Sequence, residues 1–475
     1  MQNRKDLLQA HRLMTQRAAL ALLQAEPDPP DRPLRRLNVG MFSSVLVTVI
    51  VVAVFGIWGL VAPGKATGLT AAGTLIIDSQ TGTPYIWCQH GGKRLCPVLN
   101  YASARLALGT SSPNQRTVSQ ASLAGYPRGP LIGIPGLPQG LPGSSMLVGS
   151  PWSVCVQSQT IPGTLQQRQI TTLVGGHRVG GRALSAGSAL LVRAGGPQWL
   201  IWNGERMPIP AKEQRNVLTA LDTTQQPESM PAAWLNAFPE SSSFAPPSIS
   251  GFGATVSGPG GGSAKVGQVF TTSAAPGAPQ QSYVMLSDGK LEKITQVQAE
   301  LLNAAPNQAT PGTVNPSAAA GDSVPGSLPT NGLPTRMPRV VPYNSTTPLC
   351  VVYGGSATVA PSGPQVTVGG SVPSNGVATN GSGGVNQVAL PPGTGALIGV
   401  LGGTQPAAGA GQAPVVSSYF LLTGGLRYGL ASRNVAAMLG YTLPRQQTLL
   451  PAEVAQLIPQ GPALDPSNAQ HQISS

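Results

Sequence analysis

Three places in this sequence have residue types and spacings that could do chemistry. The stretch GLVAPGKAT (59–67) nearly matches a phosphate-binding loop, G-x-x-x-x-G-K-[ST]. Such a loop needs a strand before it, a helix after it, and a Ser or Thr directly behind the lysine to hold Mg²⁺. Here an apolar run precedes, Pro63 interrupts, and Ala66 occupies the metal-ligand position. Gly64 and Lys65 therefore read as the end and interface anchor of a membrane helix. Cys88, His90 and Cys96 lie close together in YIWCQHGGKRLC and could ligate a metal. His90 and His177 could act as bases, but neither has a nucleophilic partner in a recognisable motif, and GFGATVSG is a Gly-rich loop rather than a nucleophile elbow. Among the acids expected on the exported side, Asp78, Glu205, Asp222, Glu228, Asp288, Glu292, Glu300 and Asp322 do not recur at matched positions. They read as solvated turns and surfaces, so the sequence predicts no catalytic residue, no cofactor and no metal ion.

The elements that position these residues follow from one long apolar run. Residues 39–62 (VGMFSSVLVTVIVVAVFGIWGLVA) contain no charge, and 24 residues rising about 1.5 Å each can cross a hydrocarbon core of about 30 Å. A cleavable signal peptide would have a shorter apolar region and less chain before it. The sequence thus predicts a transmembrane helix over 38–62. Arg32, Arg35 and Arg36 precede the run and only Lys65 follows closely, which puts the N-terminus in the cytoplasm and residues 63–475 outside. A phosphate loop after the helix would then face away from cytoplasmic ATP.

Composition sets the class of the exported part. Only 9% of residues are charged while Gly (60) and Pro (47) are abundant, so turns and short strands must dominate and an α+β class is expected. The net charge of +12 comes from scattered cations and scarce acids, without a nucleic-acid motif. All four cysteines fall on the exported side, where disulfides persist. A three-residue loop, Gly91-Gly92-Lys93, would place Cys88 and Cys96 directly opposite one another on paired strands. That leaves Cys155 with Cys350. Zinc is the rival for the first pair because of His90, but the other cysteines come singly with no nearby His.

Four stretches share one design: PYIWCQHGGKRLCPV (84–98), QWLIWNGERMPIP (198–210), SYVMLSDGKLEKI (282–294) and SYFLLTGGLRYGL (418–430). Each is an apolar strand, a Gly-Gly, Asn-Gly or Asp-Gly turn, and a return strand. A short helix follows each, in NYASARLAL, EQRNVLTAL, VQAELLNAA and SRNVAAMLG. A second helix comes next, opened at its first position by Pro231, Pro316 or Pro451, with Ser119 in the first copy. Pro127, Pro239, Pro325 and Pro459 close these elements. Between the modules, 147–195 and 347–402 are β-rich, and each carries one of the remaining cysteines. One central β-domain tied by Cys155–Cys350, with the second and third modules inserted in it, is the simplest closure. The expected boundaries are 1–37 (cytoplasmic helix and linker), 38–62 (membrane helix), 70–142 (repeat 1), 147–195 and 340–415 (central β-domain), 196–255 (repeat 2), 280–338 (repeat 3) and 416–475 (repeat 4). Gly258 to Gly262 and the tracts around 303–335 and 371–386 read as loose linkers.

In the N-terminal segment, Leu7, Ala10, Met14, Ala18, Ala21 and Leu22 recur at helical spacing, with Lys5, Arg12 and Glu26 off that stripe. Such a helix must bury the stripe against lipid, aided by Arg4, Lys5, Arg12 and Arg17, or against a partner protein. Pro27, Pro29, Pro30 and Pro33 would form a stiff spacer to the membrane.

The order of these features, with RKDLLQAHRLMTQRAALAL, PLRR, TGTPYIW, PVLNYASARLALG, GIPGLPQGLP (133–142) and PWSVC (151–155), resembles the EccB family of the type VII (ESX) secretion system. The similarity covers essentially the whole chain, and 81–155 is its most specific block. It implies an elongated exported domain of four repeats around a disulfide-bridged β-domain; the Cys88–Cys96 pairing rests on spacing alone. It also implies a non-catalytic membrane component that bridges the inner-membrane machine to the exported side and forms homo-oligomers. The motor ATPase EccC, the multispanning EccD and EccE would be its partners, docked through Leu7, Met14, Ala18, Ala21 and Leu22. The alternatives are an ATP hydrolase, a label the family carries, a cell-envelope-binding module, or a stand-alone lipid-tethered receptor.

Overall fold

A computed structural model describes residues 3–25, 33–61, 68–138, 140–161, 163–272, 280–324, 326, 328–329, 332–361, 363–379, 384–402 and 413–473. The chain forms two compact units, one of Met1–Thr70 with Asp78–Gly82 and Thr117–Tyr126, the other of the remaining residues.

The first unit carries the two long helices, Arg4–Gln24 and Pro33–Val61. The first ends at Ala25 in the left-handed conformation (φ 52°). The second contains Leu37–Trp58, long and apolar enough to cross a membrane and the single such helix among the described residues. Its large side chains project outward, Phe42 being 78% and Trp58 71% exposed, as a lipid-facing helix requires. In the same unit, Asp78 accepts hydrogen bonds from the Gln80 amide and the Thr81 hydroxyl, closing a tight turn.

The second unit is mixed α+β. A seven-stranded sheet runs in the order Val377–Ala378, Gln387–Ala389, Gln167–Gly175, Trp152–Thr160, Leu349–Tyr353, Gln365–Val368, Arg182–Ala183. It draws strands from both sides of a long insertion. Cys155 and Cys350 face one another in register across its centre.

Four further sheets are each built on a hairpin. The first has the order Lys93–Pro97, Pro84–Gln89, Thr74–Asp78, Asn114–Val118. The second runs Glu205–Ile209, Gln198–Trp202, Ser188–Arg193, Glu228–Ser229, with Arg339–Val340 also on Ser188–Arg193. The third runs Gly312–Val314, Val269–Thr272, Ser282–Met285, Leu291–Ile294, Ser323–Val324, and the fourth Leu426–Leu430, Val416–Thr423, Ala396–Leu401, Gln447–Pro451. Two sequence expectations change here. Ser188–Arg193 and Ala396–Leu401 were assigned to the central domain, but they pair with the second and fourth hairpins. An apolar run flanked by glycines specifies a buried strand, not its neighbour. The third sheet likewise begins at Val269, ahead of the expected boundary at 280.

Local chemistry accounts for the helices. Asn100 caps Tyr101–Leu108 by accepting from the Ser103 amide (2.8 Å), and Thr295 forms a capping box with Gln298 on Gln296–Asn303. The other first helices are Gln214–Ala220 and Arg433–Met438. Of the prolines expected at the first helical position, Pro316 is there, while Pro231 and Pro451 stand one residue earlier as N-caps with extended ψ (137° and 151°). Proline's fixed φ suits both places, and the extended ψ lets each follow directly from a strand. The tracts read as linkers hold elements too: Gly312–Val314 and Pro316–Asp322, Val377–Ala378, and the Pro259–Gly261 turn between Thr255–Ser257 and Ser263–Lys265.

The closing prolines have a defined task. The carbonyls of Pro127, Pro239 and Pro459 accept from the amides of Leu95 (2.8 Å), Arg206 (3.0 Å) and Arg427 (2.9 Å) on the return strands. The chain then continues alongside, with Gly129, Ser241 and Gly461 donating back to the carbonyls of the same three residues. A proline supplies an acceptor there without an unpaired N–H. Pro325 lies outside the described residues.

Three cores join these pieces. Trp152, Val154 and Val351 of the central sheet pack with Trp234, Phe238, Val454 and Leu457 from the second helices of the second and fourth modules. Trp234 and Phe238 meet edge to face at 4.9 Å. Leu106 of the first module shares a core with Leu421, Val435, Leu439 and Leu464 of the fourth. Leu200, Met207 and Val217 of the second pack with Val297 and Leu301 of the third. Each fully buried aliphatic side chain contributes about 1.5–3 kcal/mol, so these shared cores are what hold one module on another.

Candidate functional site

The residues with the strongest claim to function lie on the N-terminal helix. At about 100° per residue, Leu7, Ala10, Met14, Ala18, Ala21 and Leu22 fall within a face about 120° wide. Leu7 is 62%, Met14 75% and Leu22 86% exposed, Ala18 is exposed and Ala21 partly so. Leu8, Leu13 and Leu23 are exposed as well, off that face. Stripe reasoning missed these three because they break the period; total exposed apolar surface on the helix is the signal that finds them. Methionine and leucine exposed in this density leave a large apolar surface on the helix.

The backbone of Gly59, Leu60 and Val61 completes the membrane helix, while 62–67, the rest of the phosphate-loop look-alike, lies outside the described residues, as do Pro27, Pro29 and Pro30.

The cysteines form two disulfides. Cys155–Cys350 closes across 195 residues, and Cys88–Cys96 across 8. The register of the second corrects the expected one. Positive φ at Gly91 (62°) and Gly92 (114°) sets the turn at 90–92, so Gln89 pairs with Lys93, Cys88 with Arg94 and Ile86 with Cys96. Cys88 and Cys96 are therefore diagonal rather than opposite, with Cα atoms 5.9 Å apart. His90 does approach them: its ligand atom and both sulfurs lie within 4.8 Å of one another. As a disulfide, however, the sulfurs are not the thiolates a metal needs.

The other candidates are dispersed. His177 is exposed at the end of the strand Gln167–Gly175, in a different sheet from His90. Asp288 accepts from the Lys290 amide in the third hairpin turn (2.9 Å), and Glu300 from Gln296 one helical turn back (2.7 Å). Glu292 is buried and accepts from the Leu328 amide. Asp222 follows a helix in the left-handed conformation. These are turn, helix and loop positions rather than an assembled acid–base pair.

The motifs 133–142 and 151–155 serve packing. The Ile134 amide donates to Ser103 Oγ (2.9 Å) and its carbonyl accepts from Asn100 Nδ2 (3.0 Å), fixing the loop on the first helix. Trp152 is 1% exposed and donates from Nε1 to Thr448 Oγ1 (3.0 Å), linking the central sheet to the fourth module. Tyr353 donates to the Ala237 carbonyl, and Tyr441 to Pro142 (2.7 Å). Burial pushes the Tyr353 phenol well above its ordinary range, reinforced by Glu453, and pushes Tyr441 up to about 12 against the opposing charge of Arg105. Both remain protonated donors.

With one candidate membrane helix among the described residues, two disulfides and this α+β unit in place, comparison decides the family. Residues 2–474 match the family described as "Type VII secretion system ESX-1, transport TM domain B", the EccB family. The chain belongs to this family. Among curated relatives, the "ESX-5 secretion system ATPase EccB5" of Mycobacterium marinum is 29% identical, over 97% of this chain and 91% of that protein. The "ESX-3 secretion system ATPase EccB3" of Mycobacterium tuberculosis is 30% identical over 84% and 75%. Among solved structures, a chain of an intact ESX-5 inner membrane complex matches with TM-score 0.61 at 26% identity, covering 100% of this chain and 96% of that one. An EccB3 dimer from an ESX-3 core complex matches with TM-score 0.61 at 26% identity, covering 83% and 99%.

Proposed function

We propose that this protein is a structural, non-catalytic component of a type VII secretion inner-membrane complex, anchored by one helix and bridging the machine to the exported side. The observation that carries this reading is the likeness, along the whole chain, to a chain of an intact ESX-5 inner membrane complex. The helix Leu37–Trp58 supplies the anchor. Arg35 and Arg36 before it favour a cytoplasmic N-terminus and a periplasmic C-terminal domain.

The exported unit is read as four related modules around the disulfide-tied central sheet. Support comes from the recurring hairpins and from the matched proline carbonyls on Leu95, Arg206 and Arg427. The aromatics Tyr85, Trp199, Tyr283 and Phe420 recur on the hairpins' first strands, and Arg206 and Arg427 stack over Trp199 and Phe420. Leu7, Met14, Ala18, Ala21 and Leu22 would dock on EccC, EccD or EccE, and homo-oligomerisation follows the dimer described for EccB3. The relatives' names include "ATPase", but Ala66 replaces the Mg²⁺-binding hydroxyl that nucleotide hydrolysis requires.

The test is purification of the tagged full-length chain in mild detergent, followed by native mass measurement, identification of bound proteins and an ATP hydrolysis assay. The reading expects a large assembly containing the motor and multispanning subunits, with no hydrolysis by this chain once it is separated from the motor. A chain that migrates alone, or one that hydrolyses ATP alone, would overturn it.

A further inference from the structure

The two disulfides differ in what surrounds their sulfurs. Cys155 and Cys350 are 0% exposed, in register at the centre of a seven-stranded sheet, packed among Val174, Val179 and Ala389. No nucleophile from water reaches them without opening that sheet. Cys88 and Cys96 sit near the end of a hairpin, with Cys96 buried and Cys88 half-buried, beside the turn that carries His90. The imidazole and both sulfurs lie within 4.8 Å.

The charged residues that flank this second bond along the chain are cations. From Ser79 to Gly204 the sequence contains no Asp or Glu, while Lys93 and Arg94 lie on the return strand and Arg128 on the segment bridged to it. Lys93 stacks over Trp87 (5.1 Å), Arg128 over Tyr85 (4.8 Å), and Arg94 donates to the Arg128 carbonyl (3.3 Å). Cationic surroundings favour a thiolate, both as an attacking species drawn to the site and as the leaving group. The backbone beside the sulfurs is fitted to them: a Cβ on Gly129 would lie 2.3 Å from Cys96 Sγ and 3.1 Å from Cys88 Sγ.

We propose that Cys88–Cys96 is a thiol–disulfide exchange site for small aliphatic thiols, with Cys88 as the sulfur attacked and the His90 ring placed to steady the departing Cys96 sulfur by N–H donation. The thiolate RS⁻ forms an S–S bond to Cys88 Sγ as the Cys88–Cys96 bond breaks. Cys96 departs with the electron pair beside the His90 ring and takes a proton from water. A second thiolate attacks the R sulfur of the mixed disulfide, releasing RSSR and freeing Cys88. Two RSH are oxidised to RSSR, and the cystine is reduced to two thiols by the same two electrons and two protons. Run in reverse, the step closes the hairpin again. This role is separate from scaffolding, and the helix and cores described above do not depend on it.

The test uses the full-length protein in detergent, incubated with excess cysteamine, quenched with a maleimide at intervals and mapped by peptide mass spectrometry. Cys155–Cys350 in the same molecules is the internal control. The expected result is opening of Cys88–Cys96 at least about tenfold faster, with the cysteamine adduct on Cys88. At one fixed pH, opening by cysteamine should be slower in His90→Gln than in the wild type. Equal opening rates, an adduct on Cys96, or an unchanged opening rate in His90→Gln would each overturn the proposal.

Discussion

Removing the Cys155–Cys350 bond tests how the central sheet is held, because its strands come from segments 195 residues apart. In the chain-entropy account, cross-linking a loop of that length lowers the entropy of the unfolded chain by about 18 cal/mol/K, or about 5 kcal/mol at 25 °C. The same account gives about 2.5 kcal/mol for the 8-residue separation of Cys88 and Cys96. The difference, about 3 kcal/mol, depends only on the ratio of loop lengths. Two paired variants, Cys155→Ala with Cys350→Ala and Cys88→Ala with Cys96→Ala, should therefore both lose stability, the first by more. Urea unfolding of the full-length protein in detergent, followed by tryptophan fluorescence, reads the loss through Trp152 and Trp234, which share the core beneath the central sheet. With a denaturant slope of about 3 kcal/mol/M, the first variant should shift its midpoint by about 1.7 M and the second by less than about 1 M. Equal shifts, or a larger shift for the short loop, would refute the argument that loop length governs the two bonds.

Asn100→Ala removes both the cap on the Ser103 amide and the donor to the Ile134 carbonyl at a buried position, and should cost about 2–3 kcal/mol in the same assay. Asn100→Asp keeps the acceptor for Ser103 but sets a buried carboxylate against the Ile134 carbonyl, so it should cost at least as much. Tyr441 gives a pH dependence whose sign is fixed. Its folded-state value of about 12 lies above the unfolded value of 10.0, so its contribution is fully present below pH 10 and fades as pH rises towards 12. Unfolding midpoints should fall over that window by the equivalent of about 2–3 kcal/mol, and Tyr441→Phe should flatten the slope by that amount.

Much of this architecture is written locally. Asn203-Gly204, Asp288-Gly289 and Gly424-Gly425 announce hairpins because their glycines take positive φ, which few other residues adopt without strain. Asn100 announces the helix it caps, and 24 uncharged residues announce a membrane helix. What escapes sequence reading is non-local. Nothing in SALLVR or GALIGV says that these strands join the hairpins that follow them rather than the central sheet. Nothing near Leu106 or Leu439 says that the first and fourth modules share a core. The diagonal relation of Cys88 to Cys96 turned on which three residues make the turn, a shift of one position that moves every cross-strand partner. The stripe on the N-terminal helix is legible because helical periodicity is local, whereas nothing in that periodicity says what covers it.

That stripe is where the scaffold account is most directly exposed to test. Leu7→Asp, Met14→Asp and Leu22→Asp, combined in the full-length chain, leave the helix Leu37–Trp58 and the α+β unit untouched. Tagged wild type and variant would be extracted from membranes in mild detergent and their co-purifying proteins quantified by mass spectrometry. The account predicts that the variant stays in the membrane, keeps both disulfides, and loses the motor and multispanning subunits. A variant that retains those partners at wild-type levels would contradict it, and the docking role would have to be sought elsewhere on the chain.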